Sequence, residues 1–183
     1  MEKRTIPPGY LTSEDEKFMK SFAVTYLSKG DWMVELGSYK GRSAYCWLEG
    51  IIKNGGKIIT IDTHRDCDSD DRFTGFDYIK SMNEWGYIGK SNIHIIGNLN
   101  DVVKFFNMEI GALFIDALHE YKNVKNDFEK WNKFVKVGGF VIFHDYDTSF
   151  KGITDFCNEL KNNKDWNFIK KHGQCAFFKR INK

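Results

Sequence analysis

Glu35, Asp62, Asp116 and Asp145 each stand in or just beyond a short apolar run, and Gly37, Gly97 and His144 stand beside them. Carboxylates in such places accept hydrogen bonds from hydroxyl and amino groups or ligate a cation. Solvent at strand ends accounts for one or two of these polar residues. It accounts less well for four of five apolar runs finishing in or near an acid.

Val34-Glu35-Leu36-Gly37-Ser38-Tyr39-Lys40-Gly41 follows one such run. Gly37 permits a tight turn, and Gly41 lets the backbone approach a ligand or pack a helix on the strand. The same pair also reads as plain turn glycines. The spacing is GxxxG. The GxGxxG that seats a pyrophosphate on a helix N-terminus is not formed, and Glu35 would repel a diphosphate. An acid before the glycine suits a ligand that carries an amino group. Asp62 follows Gly37 by 25 residues (62 − 37 = 25). From that place an acid accepts hydrogen bonds from ribose hydroxyls; a helix cap or a surface acid is the plainer alternative. Together the two features describe a nucleoside ligand with an amino acid end and no phosphate, a description that S-adenosylmethionine fits.

The elements that must hold these residues alternate. Residues 31–37, 57–62, 92–97, 112–116 and 140–145 read as buried strands, and 43–53, 76–85, 101–106, 121–135 and 150–162 as helices. Val124, Phe128, Trp131 and Val135 make the apolar stripe of the fourth helix. Asn54-Gly55-Gly56 and Gly138-Gly139 read as helix stops. Residues 166–170 and 175–179 read as a closing antiparallel pair. The expected fold is α/β: a mostly parallel, doubly wound sheet with right-handed crossovers and helices on both faces. Ligands bind outside the carboxyl ends of such strands. Residues 1–30 read as an N-terminal helical cap that starts at Leu11-Thr12-Ser13-Glu14 and shows Phe18, Phe22 and Tyr26 on one face. Residues 31–183 read as one domain.

Composition sets the outer bounds. The chain has 183 residues, a net charge of +2, 42% hydrophobic and 28% charged residues, with 16 Phe, 8 Tyr and 5 Trp. That is globular rather than disordered. Near-balanced charge, with lysines spread along the chain, disfavours nucleic acid as partner. Cys46, Cys67, Cys157 and Cys175 form no CxxC pair; Cys46 and Cys175 read as small buried hydrophobes. No apolar run approaches the roughly 20 residues of a membrane span. The opening residues lack the apolar core of a secretory signal, so a cytoplasmic protein is expected. The loop with Asp66, Asp68, Asp70 and Asp71 resembles the start of a calcium loop, but the glycine and final Glu of an EF-hand are missing. It reads as solvated. His64 and His94 read as surface residues, and His172 as a turn residue without a role.

The stretch Phe114-Ile115-Asp116-Ala117-Leu118-His119-Glu120-Tyr121, with Val124, Asp127 and Trp131, and then Gly138-Gly139-Phe140-Val141-Ile142-Phe143-His144-Asp145-Tyr146, resembles the class I methyltransferase group called methyltransferase family 24. The resemblance runs from residue 31 to 147. It departs at Ala117, where the family has Gly. It implies a Rossmann-like seven-stranded methyltransferase sheet with an antiparallel C-terminal strand, and a methyltransferase activity dependent on S-adenosylmethionine. It also implies residue roles. Glu35, Gly37 and Ser38 would line the methionine part of the cofactor, with Gly41 also cofactor-binding; Asp62 would hold the ribose, and Gly97 and Asn98 would lie near the adenine. Asp116 would lie near the transferring methyl. Related sugar O-methyltransferases bind a divalent cation such as magnesium at strand ends, which maps here to Asp116, His144 and Asp145. An imidazole in that set shifts preference toward a transition metal.

An alcohol must lose a proton as it attacks a sulfonium methyl. His119 is the candidate base, since imidazole titrates near neutral pH; the alternative is a residue that merely begins the 121–135 helix. His144 reads equally as a side chain fixing its loop. The expected function is methylation of a small-molecule or sugar hydroxyl, in a protein that also suits a homo-oligomer. The rival readings are an inactive or partner-dependent S-adenosylmethionine-binding module and an NAD-dependent oxidoreductase.

Overall fold

The computed structural model describes residues 4–65 and 72–182. The acidic loop with Asp66, Asp68, Asp70 and Asp71, and Cys67 within it, lies outside the described residues. The elements run α1 (Ser13–Tyr26), β1 (Trp32–Leu36), α2 (Arg42–Ile51), β2 (Lys57–Asp62), α3 (Gly75–Glu84), β3 (Asn92–Ile96), α4 (Leu99–Val102), β4 (Ile110–Ile115), α5 (Tyr121–Trp131), β5 (Val135–Phe143), α6 (Lys151–Leu160), β6 (Trp166–His172) and β7 (Cys175–Arg180).

The strands form one seven-stranded sheet in the order β3-β2-β1-β4-β5-β7-β6. The first five are parallel; β7 pairs antiparallel with β5 and with β6. Parallel strands are covered on both faces, which is why their sequences are nearly continuous apolar runs. Alternation still sorts the side chains. Met33, Ala112 and Phe114 enter a core with α1, α2 and α3; Val34, Leu36, Leu113 and Ile115 enter a second core with α5 and α6. The helix at the N-terminus is well started: Asp15 N donates to Thr12 Oγ1 and Thr12 N donates to Asp15 Oδ2, closing a capping box. Its Phe18, Met19, Phe22 and Ala23 are part of the first core.

Two boundaries differ from the sequence expectation. The helix expected over 121–135 ends at Trp131, a 3-10 turn follows over Asn132–Phe134, and β5 already begins at Val135. Gly138 and Gly139 therefore sit inside a strand and do not stop a helix. Between the pairs Ile110–Val135 and Ala112–Phe140 the register shifts, and Gly138 supplies the positive φ of +84° at the irregularity. The apolar stripe continued to Val135 because that residue pairs with Ile110 and faces the same core as the helix. The short helix expected over 101–106 lies at Leu99–Val102, because Asn98 caps it by accepting from Asn100 N.

Candidate functional site

All five parallel strands end on one edge, and a cavity of about 620 Å³ opens there. That is ample for a ligand of cofactor size. Each strand end contributes to the wall: Ser38 and Tyr39 after β1, Thr63 and His64 after β2, Asn98 and Leu99 after β3, Asp116 and His119 after β4, and His144 and Asp145 after β5. Among the described residues, the non-glycine residues with positive φ are Tyr39, His64, Asp145 and Asp147. The first three line the cavity. Left-handed backbone costs about 1–2 kcal/mol per such residue and gathers at ligand clamps.

Gly37 brings two of these turns together. Its φ is +84°, and a Cβ there would collide with the carbonyl oxygen of Asp116. Gly37 N donates to Ile61 O at 2.9 Å and Asp116 N donates to Leu36 O at 2.9 Å, so the ladder runs to the last residue before the cavity. Asp62 fastens the neighbouring turns. Its Oδ2 accepts from Ser38 N at 2.7 Å and Tyr39 N at 2.8 Å, and its Oδ1 from His64 N at 2.7 Å. A carboxylate offers about four lone-pair sites, so capacity remains for one further donor.

His64 and His94 are not surface residues, contrary to the sequence expectation. His64 is 1% exposed and His94 half-buried. Their Nε2 atoms are 2.8 Å apart, His64 Nδ1 is 3.0 Å from Thr74 Oγ1, and His94 Nδ1 is 2.8 Å from Thr60 Oγ1. One Nε2 carries the shared hydrogen and the other accepts it, so the pair is neutral as a unit. Burial lowers both imidazoles, and repulsion from His64 takes His94 further, to about 4. The left-handed backbone at His64 turns this side chain inward, which spacing along a sequence does not reveal.

The acid–histidine cluster forms the other end. His119 Nε2 is 3.2 Å from Asp145 Oδ2, and the His119 ring stacks on Phe150 at 4.1 Å. His144 Nδ1 is 3.4 Å from Asp116 Oδ1 and 3.3 Å from Asp145 Oδ2; its Nε2 is 3.6 Å from Asp15 Oδ2. Burial works against charge on His144, but Asp116, Asp145 and Asp15 together outweigh it and raise its pKa well above the ordinary value. Asp145 is lowered: burial opposes its charge, and His119 and His144 overcome that opposition. Asp15 is lowered to about 2, since His144, Thr12 and the Gln174 backbone outweigh its burial.

The structure thus brings Gly37, Ser38, Asp62, Asn98, Asp116, His119, His144 and Asp145 to one cavity. Glu35, Gly41 and Gly97 do not form its wall. Glu35 is fully buried on the α2 side of the sheet, and neither carboxylate oxygen has a hydrogen-bond partner among the described residues. Burial raises its pKa well above normal, and Asp116 and Asp62 add to the effect against Ser43. Gly41 caps α2 with φ of +95°, and Gly97 continues β3 by donating to Asp62 O. Sequence reasoning missed the meeting of Asp15 with His144 and the places of Tyr10, Phe150 and Asp127 in the wall. Asp15, Tyr10 and Phe150 meet partners far away in the chain, so no local signal marks them.

Comparison with known proteins gives a consistent picture. The profile of a family described as a methyltransferase domain matches residues 34–146. An uncharacterised protein of Acanthamoeba polyphaga mimivirus is 49% identical over 37 residues, which spans 20% of this chain and only 17% of that protein. The crystal structure of an O-methyltransferase from Bacillus cereus in complex with SAH superposes with a TM-score of 0.69 at 14% identity, over 97% of this chain and 84% of that one. An SAH-bound methyltransferase from Podospora anserina gives 0.70 at 14% identity, over 91% and 78%. At such identities the likeness is one of fold.

Proposed function

The chain belongs to the methyltransferase-domain family, and from that premise we propose that it moves a methyl group from S-adenosylmethionine to a hydroxyl of a small molecule or sugar. One observation carries the reading. A single cavity at the carboxyl edge runs from the acid that ends β2 to a histidine–carboxylate pair after β4 and β5.

S-adenosylmethionine, when bound, supplies an electrophilic methyl whose transfer leaves a neutral thioether. Asp62 has room to accept from ribose hydroxyls, and Ser38 and Gly37 lie on the path toward Asp116. The absence of a GxGxxG loop favours it over a dinucleotide. The His119 ring nitrogen turned away from Asp145 takes the proton of the attacking hydroxyl, and Asp145, 3.2 Å from Nε2, stabilises the imidazolium that forms. Phe150 holds the ring by stacking. The turns around the cavity align the acceptor and keep water out.

The donor set fits a divalent cation such as magnesium. One atom from each of Asp116, His144 and Asp145 lies within 4.8 Å of the others, and Asp15 stands behind the far ring nitrogen of His144. A carboxylate behind a ligating histidine is the usual means of orienting it. These three residues would hold the ion, which when bound lowers the pKa of a coordinated hydroxyl. The imidazole makes manganese or another transition metal a better match than magnesium.

The test is transfer of labelled methyl from S-adenosylmethionine to a panel of phenolic, aliphatic and sugar hydroxyls, with and without added dication. Transfer to at least one hydroxyl class is expected. Binding of the donor with no transfer to any acceptor would favour the binding-module alternative.

A further inference from the structure

We propose that Asp127 of α5 reads the adenine base, pairing its carboxyl with the base edge that carries the exocyclic amine and N1; this rests on the S-adenosylmethionine reading of the cavity. The cavity extends both ways from Asp62. One end holds His119 and Asp145. The other is closed by the loop after β3 and by α5, with Asn98, Leu99 and Asp127 in its wall. With a ribose at Asp62 and a sulfonium toward Asp116, the base must occupy the β3 end. There α5 is tied to the β3 loop: Asn126 Nδ2 donates to Asn100 Oδ1 at 3.1 Å and Lys130 Nζ to the same oxygen at 2.6 Å.

The two amide oxygens of the β3 loop are engaged. Asn98 Oδ1 accepts from Asn100 N, and Asn100 Oδ1 is occupied as just described. Asp127 is different. It is 6% exposed and sits on the buried stripe of α5 with Val124, Phe128 and Trp131. Its side chain is met by Asn126 Nδ2 at 3.3 Å, and no ion pair reaches it among the described residues. A buried carboxyl with so little compensation is costly. Burial pushes it up to about 6, against the weak pull of Asn126 and Lys130. A carboxyl so poorly compensated takes up a proton readily, and once protonated it offers one acceptor and one donor side by side. The outer edge of adenine offers the complement: an amine that donates beside a ring nitrogen that accepts. Two hydrogen bonds to the base would add to the one long contact from Asn126 that the carboxyl has in the unliganded protein.

The experiment is calorimetric titration of the intact protein with S-adenosylhomocysteine and with its deaminated analogue, S-inosylhomocysteine, for wild type, Asp127→Asn and Asp127→Leu. A site that hydrogen-bonds a group rejects the analogue lacking it. Wild type should prefer the adenine form by about tenfold or more. Asp127→Asn, whose amide repeats the acceptor–donor pattern, should keep both affinity and preference. Asp127→Leu should lose about tenfold in affinity for S-adenosylhomocysteine and most of the preference, while its melting temperature is unchanged or raised. Binding and preference untouched in Asp127→Leu would overturn the proposal, as would a fall in melting temperature in both variants with ligand preference unchanged. Failure of wild type to bind S-adenosylhomocysteine at all would instead remove the reading beneath it.

Discussion

His119 and Asp145 meet at 3.2 Å across the gap between the β4 and β5 turns, a geometry suited to receiving one proton. Replacing His119 with Gln should lower kcat by about 100-fold or more and leave the affinity for S-adenosylhomocysteine within about twofold of wild type. Single-turnover methyl transfer beside calorimetry separates the two quantities. Asp15 makes a different prediction. Asp15→Asn keeps an oxygen to cap α1 but weakens the group behind His144, so manganese should bind about 10–100-fold more weakly. Isothermal titration with the ion reads this directly, and unchanged affinity would leave Asp15 a purely structural acid. The sequence announced the first of these residues and hid the second. His119 stands in a dense motif between a strand and a helix. Asp15 reaches His144 across 129 residues (144 − 15 = 129), a contact that only the sheet and its helices create.

At the scale of elements, the turns are the sensitive parts. Gly37→Ala forces a side chain into φ of +84° and against the Asp116 carbonyl. The fold should lose about 2 kcal/mol or more, measurable by urea unfolding, and cofactor affinity should fall with it. The His64–His94 pair sets an acid limit. Both have folded pKa values below their unfolded ones, so the unfolded chain binds more protons. Their contribution is complete above the ordinary histidine value of 6.5 and is lost as pH falls toward about 4. The slope in that window approaches about 1.4 kcal/mol per pH unit for each proton. Asp15, lowered to about 2, loses its contribution in a separate window, from 3.8 downward. Glu35 and Asp127, both raised on folding, act in the opposite sense over this window, so the pair is read by difference: between pH 6.5 and 4 the melting temperature of His94→Gln should fall less, or rise more, than that of wild type. Parallel curves for the two proteins would contradict the pairing. The strands themselves were legible, because parallel strands are continuous apolar runs. The end of α5 was not, because Val135 is equally apolar as the last turn of a helix or the first residue of β5. Nor was the histidine pair, which depends on a left-handed residue with no glycine to signal it.

For the molecule as a whole, two cores on either side of one sheet leave the carboxyl edge as the place where loops from five strands meet. Alternation of strands and helices was enough to predict that edge and the closing antiparallel pair, and the resemblance implied that all seven strands share one sheet. What the sequence could not supply was the depth of the cavity: which acids face it, and which, like Glu35, are buried beneath it. A ligand that binds only the folded form stabilises it by about 2.7 kcal/mol at a hundredfold excess over Kd, so S-adenosylhomocysteine should raise the melting temperature by roughly 5–10 °C. The most direct measurement is calorimetric titration of wild type and Asp62→Asn with S-adenosylhomocysteine. One site per chain is expected in wild type, weakened about tenfold or more by Asp62→Asn in a protein that still melts cooperatively. Absence of binding at millimolar ligand, or binding indifferent to Asp62, would contradict a cofactor cavity at this edge of the sheet.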